Sequence, residues 1–332
     1  MNFKINNCYL LDSFVIGGKI EGQGPIGDYI DYIHDIDTKC YEDNEILSLL
    51  SAIDHLLEKN NLKIDDIDLA ISGELSNQLA TTSYSYRRIL LPLIGVYSAC
   101  STIALEIGLA GLLLGSNNIK NILISTSSNT EAAEREFRNP NEYGGEKLPT
   151  QTFTSTISAS AILTSTKQKI KVSSFTLGKV IDVGYTNSFD FGRAMAPAAI
   201  DTLLNHFRST NTLPSDYDLI LTGDLSSFGY EITLKALKEE YGEINNYKDC
   251  GLILYNVDKQ KVFAGGSGPG TSAAVLLSYI KKEMLNNTIR KVLLCATGAL
   301  MNPTMVAQKN SIPSIAHIIV LEVEKWYIYK HF

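Results

Sequence analysis

The stretch VYSACSTIALEIGLAGLLLG, residues 96–115, places Cys100 where an apolar run ends and a helical pattern begins. A thiol at such a junction meets the free N–H groups and the positive dipole end of the following helix, and both favour the thiolate. That environment suits a nucleophile for acyl transfer. A tight strand-to-helix junction also packs best around a small residue, so the spacing leaves two readings of Cys100 open: attacking group or buried filler. Acyl transfer through a thiolate further needs a base and donors for the developing oxyanion. The chain holds five histidines. His34, His55, His206 and His331 fall in connecting, amphipathic or terminal segments, which predicts surface or frayed positions. His317, in SIAHIIVLE, lies beside a late apolar run; it is the candidate base, with a satisfied core histidine as the competing reading.

The elements that would hold this junction show themselves as a repeat. DDIDLAISGELS at 65–76 returns as SDYDLILTGDLS at 215–226, each a short apolar run ending in glycine and an acid. Such a run predicts a buried strand stopped by a turn. NILISTSSN at 121 pairs with KVLLCATGA at 291, and SASAILTS at 158 with IAHIIVLE at 315, in the same order. The first echo is followed by VYSACS and a helical stretch over 101–115, the second by FAGGSGPG and TSAAVLLSYIKKEM, which predicts another amphipathic helix. The pattern therefore predicts two duplicated α/β halves, 1–170 and 171–332, with buried strands. No Gly/Ser-rich or Pro-rich linker separates them, so they should pack as one body. Residues 130–160, TEAAEREFRNPNEYGGEKLPTQTFTSTISAS, predict a loop-rich excursion after a strand, a place where function concentrates.

Composition narrows the class. A chain of 332 residues with 45% hydrophobic and 20% charged residues can bury a substantial core. Its net charge of −7, with no Lys/Arg-dominated stretch, argues against nucleic acid as a partner. The apolar segments LLPLIGV and ALEIGLAGLLLG are shorter than the ~20 residues a membrane-spanning helix needs. The amino terminus lacks the order of a secretory signal, so export is not expected. Five scattered cysteines without a C-x-x-C pair predict a reducing compartment and no structural zinc. The end EKWYIYKHF is read as a final strand's end or docked tail, with a membrane-surface contact as the alternative.

A duplicated α/β chain with a cysteine on a turn in its first half, and a Gly-rich turn leading into T-S-A-A in its second, resembles the thiolase and ketoacyl synthase superfamily. That resemblance implies a thiolase-like five-layer fold, α-β-α-β-α, and a homodimer. More narrowly, YSACST, AEREFRNPNEYGG, LGKVIDVGYTNSFDFGRAMAPAAIDT, YDLILTGDLSSFG, KDCGLILY, VFAGGSGPGTSA, ATGALMNPTM and IPSIAH resemble the stage V sporulation protein AD family over nearly the whole chain. This implies a protein made in the forespore and held peripherally at the inner spore membrane. There it would work beside membrane channel proteins of the same operon, helping to load dipicolinic acid with calcium by binding it. The sequence also departs from the superfamily's enzymes. They place a catalytic histidine just after the strand that here reads YDLILTGDLSS, where Gly223 and Asp224 stand. A second polar catalytic group at the start of the T-S-A-A helix is replaced by Gly268-Pro269-Gly270. Proton handling for condensation or thiolysis is thus missing.

The expectation that follows is a non-catalytic site in which Cys100 is a vestigial nucleophile. Dipicolinate is a flat aromatic dianion, so it requires cations or N–H donors for two carboxylates and an apolar slot for the ring. The expected ligand residues are Cys100 with the helix start behind it, Gly268, Arg135, Arg138 and Lys147 of the polar excursion, and Lys179 and Arg193. Arg135 has a competing place in an i, i+4 pair with Glu131. Asp182, Asp190 and Asp224 could approach calcium, yet no D-x-D-x-D-G loop is present. No cofactor or protein-built metal site is expected, and calcium only together with dipicolinate. The alternative is an active acyltransferase using Cys100 as nucleophile and His317 as base.

Overall fold

Each echoed run forms a strand in the computed structural model, which describes residues 1–34, 38, 40–116, 118–137 and 147–324. In chain order the principal strands are β1 (Tyr9–Gly17), β2 (Leu69–Gly73), β3 (Leu93–Gly95), β4 (Asn121–Ser128) and β5 (Ile157–Thr164), then β6 (Ile170–Thr176), β7 (Leu219–Thr222), β8 (Tyr247–Asp249), β9 (Lys291–Ala299) and β10 (Ser314–Val323). Among the described residues they run β3-β2-β4-β5-β1-β6-β10-β9-β7-β8 in one sheet of twelve strands, two short strands joining at β1 and β6. Read outward from its centre, this order repeats itself: β2 and β7, β4 and β9, and β5 and β10 hold equivalent places. Directions repeat too, with β2 parallel to β3 and β4 and antiparallel pairing of β4 with β5, matched by β7, β8, β9 and β10. The three echoes seen in the sequence are therefore the same strands of two duplicated halves.

The helices explain why the central strands are buried on both faces. The longer ones are α1 (Tyr41–Lys59), α2 (Ala80–Ile89), α3 (Thr102–Leu113), α4 (Thr130–Glu136), α5 (Phe191–Thr210), α6 (Ser226–Tyr241) and α7, a continuous run over 269–285. On the outside of the first half, α1 buries Ile46, Leu49, Ile53 and Leu56, one helical face, against β5, β1 and β4. On the outside of the second, α5 packs on β9 and β10 with α6 beside it. Between the halves lies α3, touching strands of both, with α7 against it. The result is the five-layer α-β-α-β-α thiolase-like arrangement. All eight residues of β4 and of β5 are buried, as strands covered on both faces require.

Two expectations change. The helix at 269–285 is not amphipathic: every residue of Pro269–Ala274 is buried, and so are most of Val275–Ile280, because this helix occupies the central layer. His206 is not at the surface; it is fully buried in α5, its Nδ1 2.7 Å from Thr176 Oγ1 and its Nε2 2.9 Å from Tyr217 Oη. The segment AIDTLLNHF by itself does not show the polar pocket between α5 and the sheet. Among the described residues no helix is long and apolar enough to cross a membrane. The end EKWYIYKHF, beyond Glu324, lies outside the described residues.

Candidate functional site

After β3 the chain turns through 96–98 into a 3-10 turn, Ala99–Ser101, that opens α3. Ala99 sits at φ 46°, a left-handed backbone that residues with a Cβ rarely adopt, so its neighbours must hold the turn in place. Thr102 Oγ1 donates to the Ala99 carbonyl (2.6 Å) and accepts from the Ser98 N–H (3.2 Å), and Ser101 Oγ donates to the Ser98 carbonyl (2.6 Å). The second half presses in from β9. A Cβ on Gly298 would stand 2.6 Å from the Ser98 carbonyl oxygen, so only glycine lets that strand support the elbow. Cys100 at the apex is 9% exposed and lines a cavity of about 300 Å³.

The sulfur's neighbours decide its chemistry. Cys100 Sγ lies 3.9 Å from Ser267 Oγ, which donates to Asp224 Oδ2 (3.0 Å). The same oxygen accepts from the Gly268 N–H (3.1 Å), and Oδ1 accepts from Thr297 Oγ1 (2.7 Å). Asp224, 1% exposed at the end of β7, thus occupies the place the resemblance assigns to a catalytic base. Burial first, and then the Asp224 carboxylate, hold the Cys100 thiol well above its ordinary value. Burial also raises the Asp224 carboxyl, against the hydrogen bonds from Cys100, Thr297, Gly268 and Ser267 that hold it down. Cys100 is therefore S–H at neutral pH, the opposite of the activation that a helix start alone suggests.

His317 does not supply the base. Its Nδ1 accepts from the Gly178 N–H (3.2 Å), which leaves the proton on Nε2 to be donated to Ser98 Oγ (3.0 Å). Burial pushes its pKa down to about 4. It is the satisfied core histidine of the two readings, bracing the elbow through Ser98.

The expected ligand residues divide. Cys100 and Gly268 come together, Gly268 at φ 97° with its N–H committed to Asp224. The cations do not join them: among the described residues no Lys, Arg or His lines the Cys100 cavity. Arg135 lies over the Tyr41 ring (5.3 Å) rather than pairing with Glu131. Lys147 pairs with Glu134 (2.6 Å), Lys179 with Asp201 (3.1 Å) and Arg193 with Asp190 (3.2 Å). Each is drawn to a carboxylate or ring on its own surface. Arg138 lies outside the described residues. Of the aspartates considered for calcium, Asp182 is tied to Ser311 and the Gly184 N–H, and Asp190 caps α5. Among the described residues no three His, Cys, Asp or Glu side chains gather as a metal site.

The cavity is instead walled by residues that sequence reasoning did not single out. Tyr97, Phe191, Leu300 and Met301 give it apolar surface, and Asn77, Gln78 and Asn302 give it amides. A usable signal existed. Most of these residues follow directly on β2, β3 and β9, and ligands in α/β sheets bind beyond the carboxyl ends of such strands.

Comparison with known proteins places this geometry. The family model of stage V sporulation protein AD matches residues 2–322. Stage V sporulation protein AD of Bacillus subtilis (strain 168) is 44% identical over 309 residues, spanning 92% of this chain and 91% of that protein. Among solved structures, a variant of OleA from Xanthomonas campestris matches with a TM-score of 0.63 at 12% identity, covering 96% of this chain and 97% of that one. The 3-oxoacyl-[acyl-carrier-protein] synthase III from Aquifex aeolicus VF5 matches with a TM-score of 0.58 at 11% identity, covering 95% and 99%. At such low identity these structures speak for the fold alone, which is that of thiolase-like ketoacyl synthase III enzymes. By the extent of its sequence match, the chain belongs to the stage V sporulation protein AD family.

Proposed function

We propose that the chain binds dipicolinate in the Cys100 cavity without turning it over, and so supports loading of the compound into the developing spore. Membership of a family named for stage V of sporulation supports the sporulation role. The binding reading is carried by one observation, the pairing of Cys100 with Asp224. A nucleophile's elbow is retained, left-handed Ala99 included, but the group beside its sulfur is a carboxylate that suppresses the thiolate. Condensation needs a group there that accepts and returns protons near neutral pH.

A cavity of about 300 Å³ suits a single-ring ligand. Tyr97, Phe191 and Met301 offer faces for the ring, and the amides of Asn77, Gln78 and Asn302 offer donors for its carboxylates. Calcium would enter only as the ligand's own chelated ion. The membrane channel proteins of the same operon are the partners to which a peripherally bound homodimer would pass the compound. Calorimetric titration of purified protein with dipicolinate tests the reading. Saturable heat within the millimolar range is expected, and no heat across that range contradicts it.

The left-handed elbow also favours a second reading, an acyltransferase that forms an acyl-enzyme on Cys100. Intact-mass measurement after incubation with acyl-CoA of several chain lengths separates the two. A stable mass gain, lost in Cys100→Ser, supports transfer; no gain with any chain length supports binding alone.

A further inference from the structure

Behind one wall of the Cys100 cavity lie three carboxylates from three elements. Glu74, just past β2 and fully buried, accepts from the Ser76 N–H, from Ser76 Oγ (2.6 Å) and from the Thr82 N–H (3.3 Å). Glu136 of α4 accepts from the Asn77 N–H (3.0 Å). Glu45 of α1, 4% exposed, accepts from Ser127 Oγ (2.7 Å) and shares a small void with Glu136, Leu75, Ser76 and Phe137. Leu75, Ser76, Asn77 and Phe137 are themselves cavity wall. A ligand in the cavity is thus one layer of side chains away from the cluster. The charged and titratable groups that face it include Glu42 from α1, Arg135 from α4 and Tyr97 from the turn before Cys100, and Lys19, Glu21, His34 and Glu131 line a neighbouring cavity that Glu45 also borders. Of the cations among them, Arg135 is turned over the Tyr41 ring.

We propose that dipicolinate enters the Cys100 cavity together with a proton, taken up from solvent by the Glu45, Glu74 and Glu136 cluster behind the cavity wall. This rests on the binding reading above and adds its coupling to pH. A dianion placed beside buried carboxylates raises the cost of every negative charge on them, so protons stay on more tightly when the ligand is bound. Linkage is reciprocal: whatever makes the cluster hold its proton also makes the protonated cluster hold the ligand. The cluster is placed to respond near neutrality, because burial, followed by neighbouring carboxylates, raises Glu45 to about 8, and burial raises Glu74 to about 7. The ligand's own carboxyls, with ordinary acid strength, stay ionised over this range.

The experiment is calorimetric titration with dipicolinate between pH 6.5 and 8.5, repeated in phosphate and in Tris, whose ionisation heats differ and so count protons taken up. The expected result is a Kd that rises roughly three- to tenfold per pH unit above pH 7, tenfold corresponding to one proton per ligand, with uptake from both buffers. Glu74→Gln, and independently Glu45→Gln in case the first disturbs Ser76, should flatten that slope. Binding with no pH slope and no uptake overturns the proposal and leaves the binding reading standing. Affinity that falls on acidification overturns it as well. Absence of heat at every pH removes the binding reading itself, and the proposal with it.

Discussion

Replacing Asp224 with asparagine removes one negative charge beside Cys100 and keeps the side chain's shape. Ser267 Oγ lies 3.9 Å from the sulfur and 3.0 Å from Asp224 Oδ2, so sulfur and carboxylate are separated by no more than about 7 Å. At an effective dielectric of ~20, two like charges at ~7 Å repel by about 2.4 kcal/mol, the least that this separation allows. Removing one therefore raises the thiolate fraction roughly 50-fold at a given pH. Burial persists in the variant, so Cys100 is released only in part. The amide can be seated: its oxygen accepts from the fixed Gly268 N–H, and its nitrogen donates to Thr297 Oγ1, a hydroxyl free to turn. The fold should survive with a loss of about 1 kcal/mol. The assay is alkylation of the native protein by iodoacetamide at pH 8, following Cys100 by peptide mass with exposed Cys40 as the internal standard. Tens-fold faster modification of Cys100 relative to Cys40 is expected in Asp224→Asn. Equal ratios in the two proteins would refute the reasoning, since the carboxylate would then not be what holds the thiol protonated.

Other consequences can be measured on the same protein. Gly268→Ala forces a Cβ onto a backbone at φ 97° and within 3.0 Å of Ser128 Oγ, so the urea midpoint should fall by the equivalent of about 1–3 kcal/mol; an unchanged midpoint counts against the strain. Glu106, fully buried in α3, has its carboxyl held well above 4.5 by burial, so the native state keeps a proton that the unfolded chain releases. Wild-type stability should decline as pH rises from that value, and Glu106→Gln should remove this residue's share of the decline, leaving the part that Glu45 and Glu74 contribute; parallel curves would contradict this. His206 and His317 are pushed from 6.5 to about 4 by burial, so the unfolded chain binds protons that the native state refuses. Their stabilisation is complete above pH 6.5 and lost as pH falls toward 4, roughly 2 kcal/mol for each residue by pH 5. Comparing unfolding midpoints at pH 5 and pH 8 in His317→Gln should recover about one residue's share, and an identical acid loss would show that His317 does not contribute.

The sequence made the fold legible through a local property repeated at a distance. Apolar runs closed by Gly and an acid, as at Gly73-Glu74 and Gly223-Asp224, mark buried strands whatever surrounds them, and their order fixed which strands are equivalent. Cys100 and Gly268 were legible for the same reason, since each sits where a strand or turn feeds a central helix. The cations were not. Lys147 and Lys179 are drawn from loops to carboxylates on neighbouring helices, and Arg193 to the Asp190 that caps its own helix. The suppression of Cys100 by Asp224 was half legible. The missing histidine could be read from the strand's end, whereas the contacts of its replacement with Ser267, Gly268 and Thr297 arise only when β7, β9 and α7 converge. The segment AIDTLLNHF suggested a helix-surface position for His206, because its polar partners Thr176 and Tyr217 come from other parts of the chain.

The most direct test of the account is a crystal of the protein grown with dipicolinate and solved with the ligand in place. The account predicts a flat ring between Tyr97, Phe191 and Met301, beside an unmodified Cys100 whose sulfur still faces Asp224. Density confined to another part of the molecule, or a covalent adduct on that sulfur, would contradict it.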